Sequence, residues 1–152
     1  MSKNLAAFLS MIAFSEGTYK YGTNKGYDVL VGGSLFNSFA DHPRKSVLLR
    51  RSPYLASTAA GRYQILSKYY DAYKEQLGLP DFSPDSQDKI AIQLIKECKA
   101  LDLIEAGHIS VAITKCSSRW ASFPGAGYNQ HENKLHELLT AYEDAGGTLD
   151  EV

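Results

Sequence analysis

The sequence predicts an α+β fold in which a small β lobe interrupts a mostly helical chain, with an active-site cleft where the two lobes meet. Three observations predict it. An amphipathic helix opens the chain, a glycine-rich stretch with β-branched runs follows from about residue 22 to 61, and capped helical segments fill the remainder after Gln64. With 152 residues, 44% of them hydrophobic, the chain suits one compact domain over residues 1–152. Lys plus Arg total 16 and Asp plus Glu 17, a formal charge of -1. No overall field therefore draws the protein to nucleic acid or anionic lipid, and any charged partner must meet a local patch. No apolar run approaches the roughly 20 residues that span a bilayer.

The first helix starts near Ser2 or Asn4, either of which can cap it, and stops at Gly17. Leu5, Phe8, Leu9 and Ile12 fall at i, i+3, i+4 and i+7, a helix stripe. The segment Leu5 to Phe14 also has the length of a signal-peptide core, but that stripe favours a folded helix over an export signal. In the β lobe, Gly32-Gly33 between Val29-Leu30-Val31 and Leu35-Phe36 is a hairpin turn signal. Helices are then expected from Leu66 to Leu77 before Gly78, from Pro84 to Leu101 with Ser83 as cap, from Leu103 to Ala106 before Gly107, from Ser110 to about Ser118, and from His131 to Ala145 before Gly146-Gly147. A glycine-rich loop, Pro124 to Tyr128, precedes the last helix.

Glu16 is the residue that points to chemistry. It lies eleven positions after Leu5, and at about 100° per residue that returns to within roughly 20° of the same direction, so the carboxylate projects from the apolar face. Leaving water disfavours the charged form, and the negative end of the helix acts in the same direction. A carboxyl kept protonated near neutral pH can donate its proton to a leaving oxygen, as the general acid of glycoside cleavage does. The alternative is a helix-end glutamate turned to solvent.

Other titratable groups carry less. Among His42, His108, His131 and His136 only the last two are close, and a spacing of five separates them around a helix, so no metal or cofactor is expected. Cys98 and Cys116 lack C-x-x-C spacing and read as buried thiols, with one bridge remaining geometrically open. Arg44, Lys45, Arg50 and Arg51 form an acid-free basic stretch, by default a solvated loop. Trp120, the single tryptophan, reads as the anchor of the Phe123 loop rather than a sugar platform.

Six motifs occur in one order: Ser15-Glu16-Gly17-Thr18, Gly26 to Gly33, Asp41-His42-Pro43-Arg44-Lys45, Ala60-Gly61-Arg62-Tyr63-Gln64, Ser83 to Asp88, and Trp120 to Tyr128. Together, and over about Phe8 to Gly147, the chain resembles the lambda-type family of phage endolysins. That resemblance implies a lysozyme-like fold and a lytic transglycosylase that cuts the β-1,4 bond between N-acetylmuramic acid and N-acetylglucosamine in peptidoglycan. It assigns the catalytic acid to Glu16 and makes Asp28 a sugar contact. It implies a monomer that stays in the host cytoplasm until a separate holin breaches the inner membrane, then acts on glycan strands of the wall.

Gly61-x-Tyr63-Gln64 resembles the glutamine-ending motif of the wider transglycosylase group, so Gln64 is expected to hold the acetamido or hydroxyl groups of the sugar. A neutral amide donates and accepts without adding charge beside the acid. Tyr63 and Tyr128 can stack on pyranose faces or simply pack under their loops. The alternative within enzymes is a hydrolytic lysozyme using Glu16 and Asp28, because hydrolysis needs a second carboxylate and transglycosylation only one. By strand alternation Asp28 faces the side of Leu30 and lines the cleft, although this chain is a few residues shorter than the lambda type between Glu16 and Asp28. A rival from another class is a wall-binding module without catalysis, which needs no buried acid at position 16.

Overall fold

Ser2 takes the N-cap of the first helix: its hydroxyl accepts the Leu5 backbone N–H at 3.0 Å. The helix, α1 (Lys3–Glu16), buries Leu5, Phe8, Leu9 and Ile12 as its stripe requires, together with Ala7, Met11 and Ala13. It ends at Gly17, whose φ of 75° closes the last turn onto the carbonyls of Ala13 and Phe14. The computed structural model describes residues 1–127 and 131–150. The remaining elements are β1 (Val47–Arg51), β2 (Tyr54–Ser57), α2 (Ser67–Leu77), α3 (Pro84–Glu97), α4 (Leu101–Glu105), α5 (Ile109–Cys116) and α6 (Leu135–Asp144). They form two compact units, Met1–Gly17 with Ala91–Val152, and Thr18–Ile90.

In the first unit α1 packs against α6 and α4, and α5 packs against α4 and α6. Phe8 meets Phe123 edge-on at 6.4 Å, and Trp120, 2% exposed, lies over Phe123 at 5.8 Å, the anchoring contact expected of it. Both cysteines are free; Cys116 is buried and Cys98 only half-buried. Among the described residues no helix is long and apolar enough to cross a membrane.

The second unit departs from expectation in its β structure. The Gly32-Gly33 turn forms, with the Leu30 N–H donating to the Ser34 carbonyl at 2.7 Å, but it supports only a single bridge, Val29 to Leu35. The ladder lies instead in the basic stretch: β1 and β2 pair antiparallel from Val47–Ser57 to Arg51–Tyr54, with a bulge between Leu48 and Arg50. Arg50 and Arg51 are thus strand residues, not loop residues. Every residue of β1 after Val47 is exposed, so no inside–outside alternation marks it in the sequence. Arg44 is not a free loop cation either: its guanidinium bridges Asp41 and Asp71.

Three helix boundaries also shift. α2 follows its expected span, with Gly78 in the left-handed conformation after it. α3 stops at Glu97, four residues early, because Lys99 adopts φ 57° and the Ala100 N–H turns back to the Ile95 carbonyl. α4 consequently starts at Leu101. α6 begins at Leu135, four residues late, because residues 131–134 are held outside the helix by contacts described next.

Candidate active site

The C-terminal end of α1 presents Glu16. Its carboxylate Oε2 accepts the Ser122 hydroxyl at 2.9 Å, and Oε1 has no hydrogen-bond partner among the described residues. Ser122 Oγ also lies 2.7 Å from Ser15 Oγ. Asn133 completes the group: its side-chain N–H donates to Ser15 Oγ at 3.1 Å and to the Ser15 carbonyl at 2.9 Å, and its backbone N–H donates to the Ser122 carbonyl at 2.8 Å. Glu132, beside Asn133, accepts the backbone N–H groups of Gly125 and Gly127, both at 3.0 Å, which holds its own carboxyl below the usual range. These contacts keep 131–134 out of the helix.

Burial pushes the Glu16 carboxyl up from 4.5 to about 7, and the Ser122 hydrogen bond acts the other way by favouring the ionised form. A half-neutral carboxyl at neutral pH with one oxygen fixed and the other unengaged is equipped to donate a proton and then take one back. The side chain that the sequence singles out is therefore a carboxyl that burial keeps protonated to higher pH.

Three expected sugar-binding residues lie in the second unit. Asp28 is 7% exposed. Its Oδ2 accepts the Asn24 amide at 2.8 Å, and its buried Oδ1 has no partner among the described residues. The strand alternation behind the cleft-lining expectation is absent, because Tyr27 and Asp28 sit in the turn before the Val29 bridge. Tyr63 is 1% exposed, meets Tyr27 edge-on, and donates its hydroxyl to Asp88 Oδ1 at 2.6 Å. No ring face remains for a pyranose, so core packing, not stacking, is its place. Tyr128 lies outside the described residues.

Gln64 is part-exposed, with φ at 53°, a strained value for a residue with a side chain. Its amide N–H₂ donates to the carbonyls of Gly61 and Val29 at 2.9 and 3.2 Å, which leaves Oε1 as an unengaged acceptor among the described residues. The amide is thus held by its donors and offers its oxygen.

The sequence reading missed what supports these groups. Gln87, fully buried, donates to the carbonyls of Tyr27 and Phe82 and accepts the Arg62 N–H. Asp88 receives the hydroxyls of both Tyr27 and Tyr63. Ser15, Ser122, Gln87 and Asp88 all stand in the quoted motifs, so position alone marked them; Asn133 stands in none. His42 is held within the protein, its Nε2 donating to the Ile65 carbonyl and its Nδ1 accepting the Arg44 N–H. Among the described residues no group of three or more His, Cys, Asp or Glu is placed to hold a metal.

A family model described as Endolysin matches residues 6–149. The chain is 55% identical to the endolysin of Escherichia phage lambda over 149 residues, covering 96% of this chain and 93% of that protein. It is 49% identical to the endolysin of Escherichia phage P2 over 157 residues, covering 95% and 94%. Among solved structures it is similar to bacteriophage lambda lysozyme complexed with a chitohexasaccharide, with a TM-score of 0.95, 53% identity, and 99% and 98% of the two chains covered. A second structure of lysozyme from bacteriophage lambda gives a TM-score of 0.90 at 52% identity, with the same coverage.

Proposed function

The chain belongs to the endolysin family, and from that premise we propose that it is a lytic transglycosylase of peptidoglycan, with Glu16 as its acid and base. The observation that carries the proposal is the Glu16 carboxyl itself, its pKa raised to about 7 by burial, with Oε2 held by Ser122 and Oε1 unengaged among the described residues. Glu16 protonates the oxygen of the β-1,4 bond between N-acetylmuramic acid and N-acetylglucosamine. The muramic acid C1 becomes oxocarbenium-like, and the C6 hydroxyl of the same sugar gives its proton to Glu16 as its oxygen closes on C1. The product ends in a 1,6-anhydro ring, and no water is consumed.

Asp28 supports this over hydrolysis. A nucleophile or base must reach the sugar or its attacking water. Asp28 is buried, with one oxygen bound to Asn24 and the other sealed from solvent. Gln64 Oε1 is an acceptor for an acetamido N–H or a sugar hydroxyl. The solved lambda lysozyme complex with a chitohexasaccharide supports an aminosugar substrate for a chain 53% identical to it. Access to the wall follows breach of the inner membrane by a separate holin.

Mass spectrometry of the sugar ends released from purified murein tests the reaction type. Anhydro-muramic ends are expected. Reducing ends, heavier by one water, would replace the proposal with a hydrolytic lysozyme using Glu16 and Asp28.

A further inference from the structure

We propose that Ser122, with Ser15 and Asn133 behind it, is a positioning residue that assigns the two oxygens of Glu16 different roles: Oε2 receives a fixed hydrogen bond and Oε1 carries the proton to the glycosidic oxygen. This rests on the reading of Glu16 as the general acid.

The direction of the hydrogen-bond chain follows from its far end. An amide N–H₂ can only donate, so Asn133 feeds a proton into Ser15 Oγ at 3.1 Å. Ser15 then hands its own proton to Ser122 Oγ at 2.7 Å, and Ser122 hands its proton to Glu16 Oε2 at 2.9 Å. Every hydroxyl in this order both accepts and donates. The reverse order, with Glu16 donating from Oε2 into Ser122, leaves the Ser15 proton without an acceptor among the described residues, in a residue that is only 7% exposed. An unmade hydrogen bond at a buried hydroxyl costs more than the forward order. In the neutral acid Oε2 is therefore the carbonyl oxygen and Oε1 the hydroxyl.

The chain is held rigidly. Asn133 is fixed by three further contacts, its side chain to the Ser15 and Ser122 carbonyls and its backbone N–H to the Ser122 carbonyl. Ser122 stands in the chain between Trp120 and Phe123, both buried. Such support keeps an acid in its productive rotamer.

The titratable groups on elements packed against α1 are Asp102 and Glu105 on α4 and His136, Glu137, Tyr142, Glu143 and Asp144 on α6. Glu132 lies beside Asn133. None of these charges enters the shift of Glu16, whose causes are burial and the Ser122 bond alone. Removing the bond thus acts on the acid directly.

Turnover of glycan strands across pH, and the infrared carbonyl band of neutral Glu16 identified by subtracting Glu16→Gln, test the assignment. Ser122→Ala is expected to move the alkaline limb of kcat upward by about half to one pH unit, since the donor that favours the ionised form is gone. Its kcat falls at least about 10-fold from lost orientation. The carbonyl band moves to higher wavenumber, Ser15→Ala and Asn133→Ala move it less, and Ser122→Thr restores both limb and band. A limb and band both unmoved in folded Ser122→Ala overturn the assignment while leaving Glu16 as the acid. Where Ser122→Ala does not fold, the same two readouts in Ser15→Ala decide. Undiminished turnover by Glu16→Gln overturns this inference and the proposed function together.

Discussion

The Ser122 hydroxyl meets Glu16 Oε2 at 2.9 Å across 106 positions of sequence. The contact exists because α1 lies against α4 and α6, so the C-terminal part of the chain returns to the end of the first helix. Glu16 is thereby placed where burial weakens its acidity and one hydroxyl limits that weakening.

Activity is expected to need the protonated form of Glu16. Turnover should hold below neutrality and fall through a midpoint near 7 as the carboxyl ionises. Replacing Glu16 by Gln removes the proton donor and should lower kcat by about 10²–10⁴-fold, with glycan binding retained. A pH–rate profile on soluble glycan strands checks both statements; an alkaline limb near 4.5 would mean that burial does not tune the acid.

Stability should depend on pH through the same group. Between 4.5 and about 7 the folded state keeps a proton that the unfolded chain releases, so stability is lost as pH rises through that window. The loss amounts to about 3 kcal/mol at most, from 1.36 kcal/mol per unit. Glu16→Gln carries no such cost. In urea it should match the wild type near pH 4 and exceed it by about 2–3 kcal/mol at pH 8; equal midpoints at pH 8 would contradict the burial of the carboxyl.

The α1 helix, its Ser2 cap and its Gly17 stop were legible because each is a local signal, and Glu16 was legible because helical periodicity fixes its direction. Two further features were invisible for physical reasons. Strand β1 is exposed at every position after Val47, so it carries no alternating pattern, and α3 is ended by Lys99, a good helix former. Asp28, Tyr63 and Asn133 show a different limit: their roles depend on which partners tertiary packing supplies. Tyr63 meets Asp88 from 25 positions away, and Asn133 meets Ser15 from 118.

Gly61→Ala should destabilise the fold strongly. Gly61 has φ at 83°, and an added Cβ would lie 2.3 Å from Gln87 Oε1 and 3.0 Å from Phe82 Cζ. Gln87 cannot retreat, because it is fully buried and bonds the Arg62 N–H and the carbonyls of Tyr27 and Phe82. The expected cost is about 2–4 kcal/mol by denaturant unfolding, combining strain and overlap. A loss under about 1 kcal/mol would show that the 61–64 turn adjusts freely.

Tyr63→Phe separates core packing from sugar stacking. The variant keeps the ring against Tyr27 but removes the hydroxyl that donates to Asp88 at 2.6 Å and accepts from Arg62 at 3.1 Å. With Tyr27 still donating to Asp88 at 2.8 Å, the carboxylate stays partnered, so the cost is limited to about 1–2 kcal/mol. Tm should fall accordingly, while KM for glycan strands stays within about two-fold, because a residue 1% exposed offers no surface to a sugar. A KM raised about five-fold or more at unchanged Tm would return Tyr63 to the glycan-binding surface.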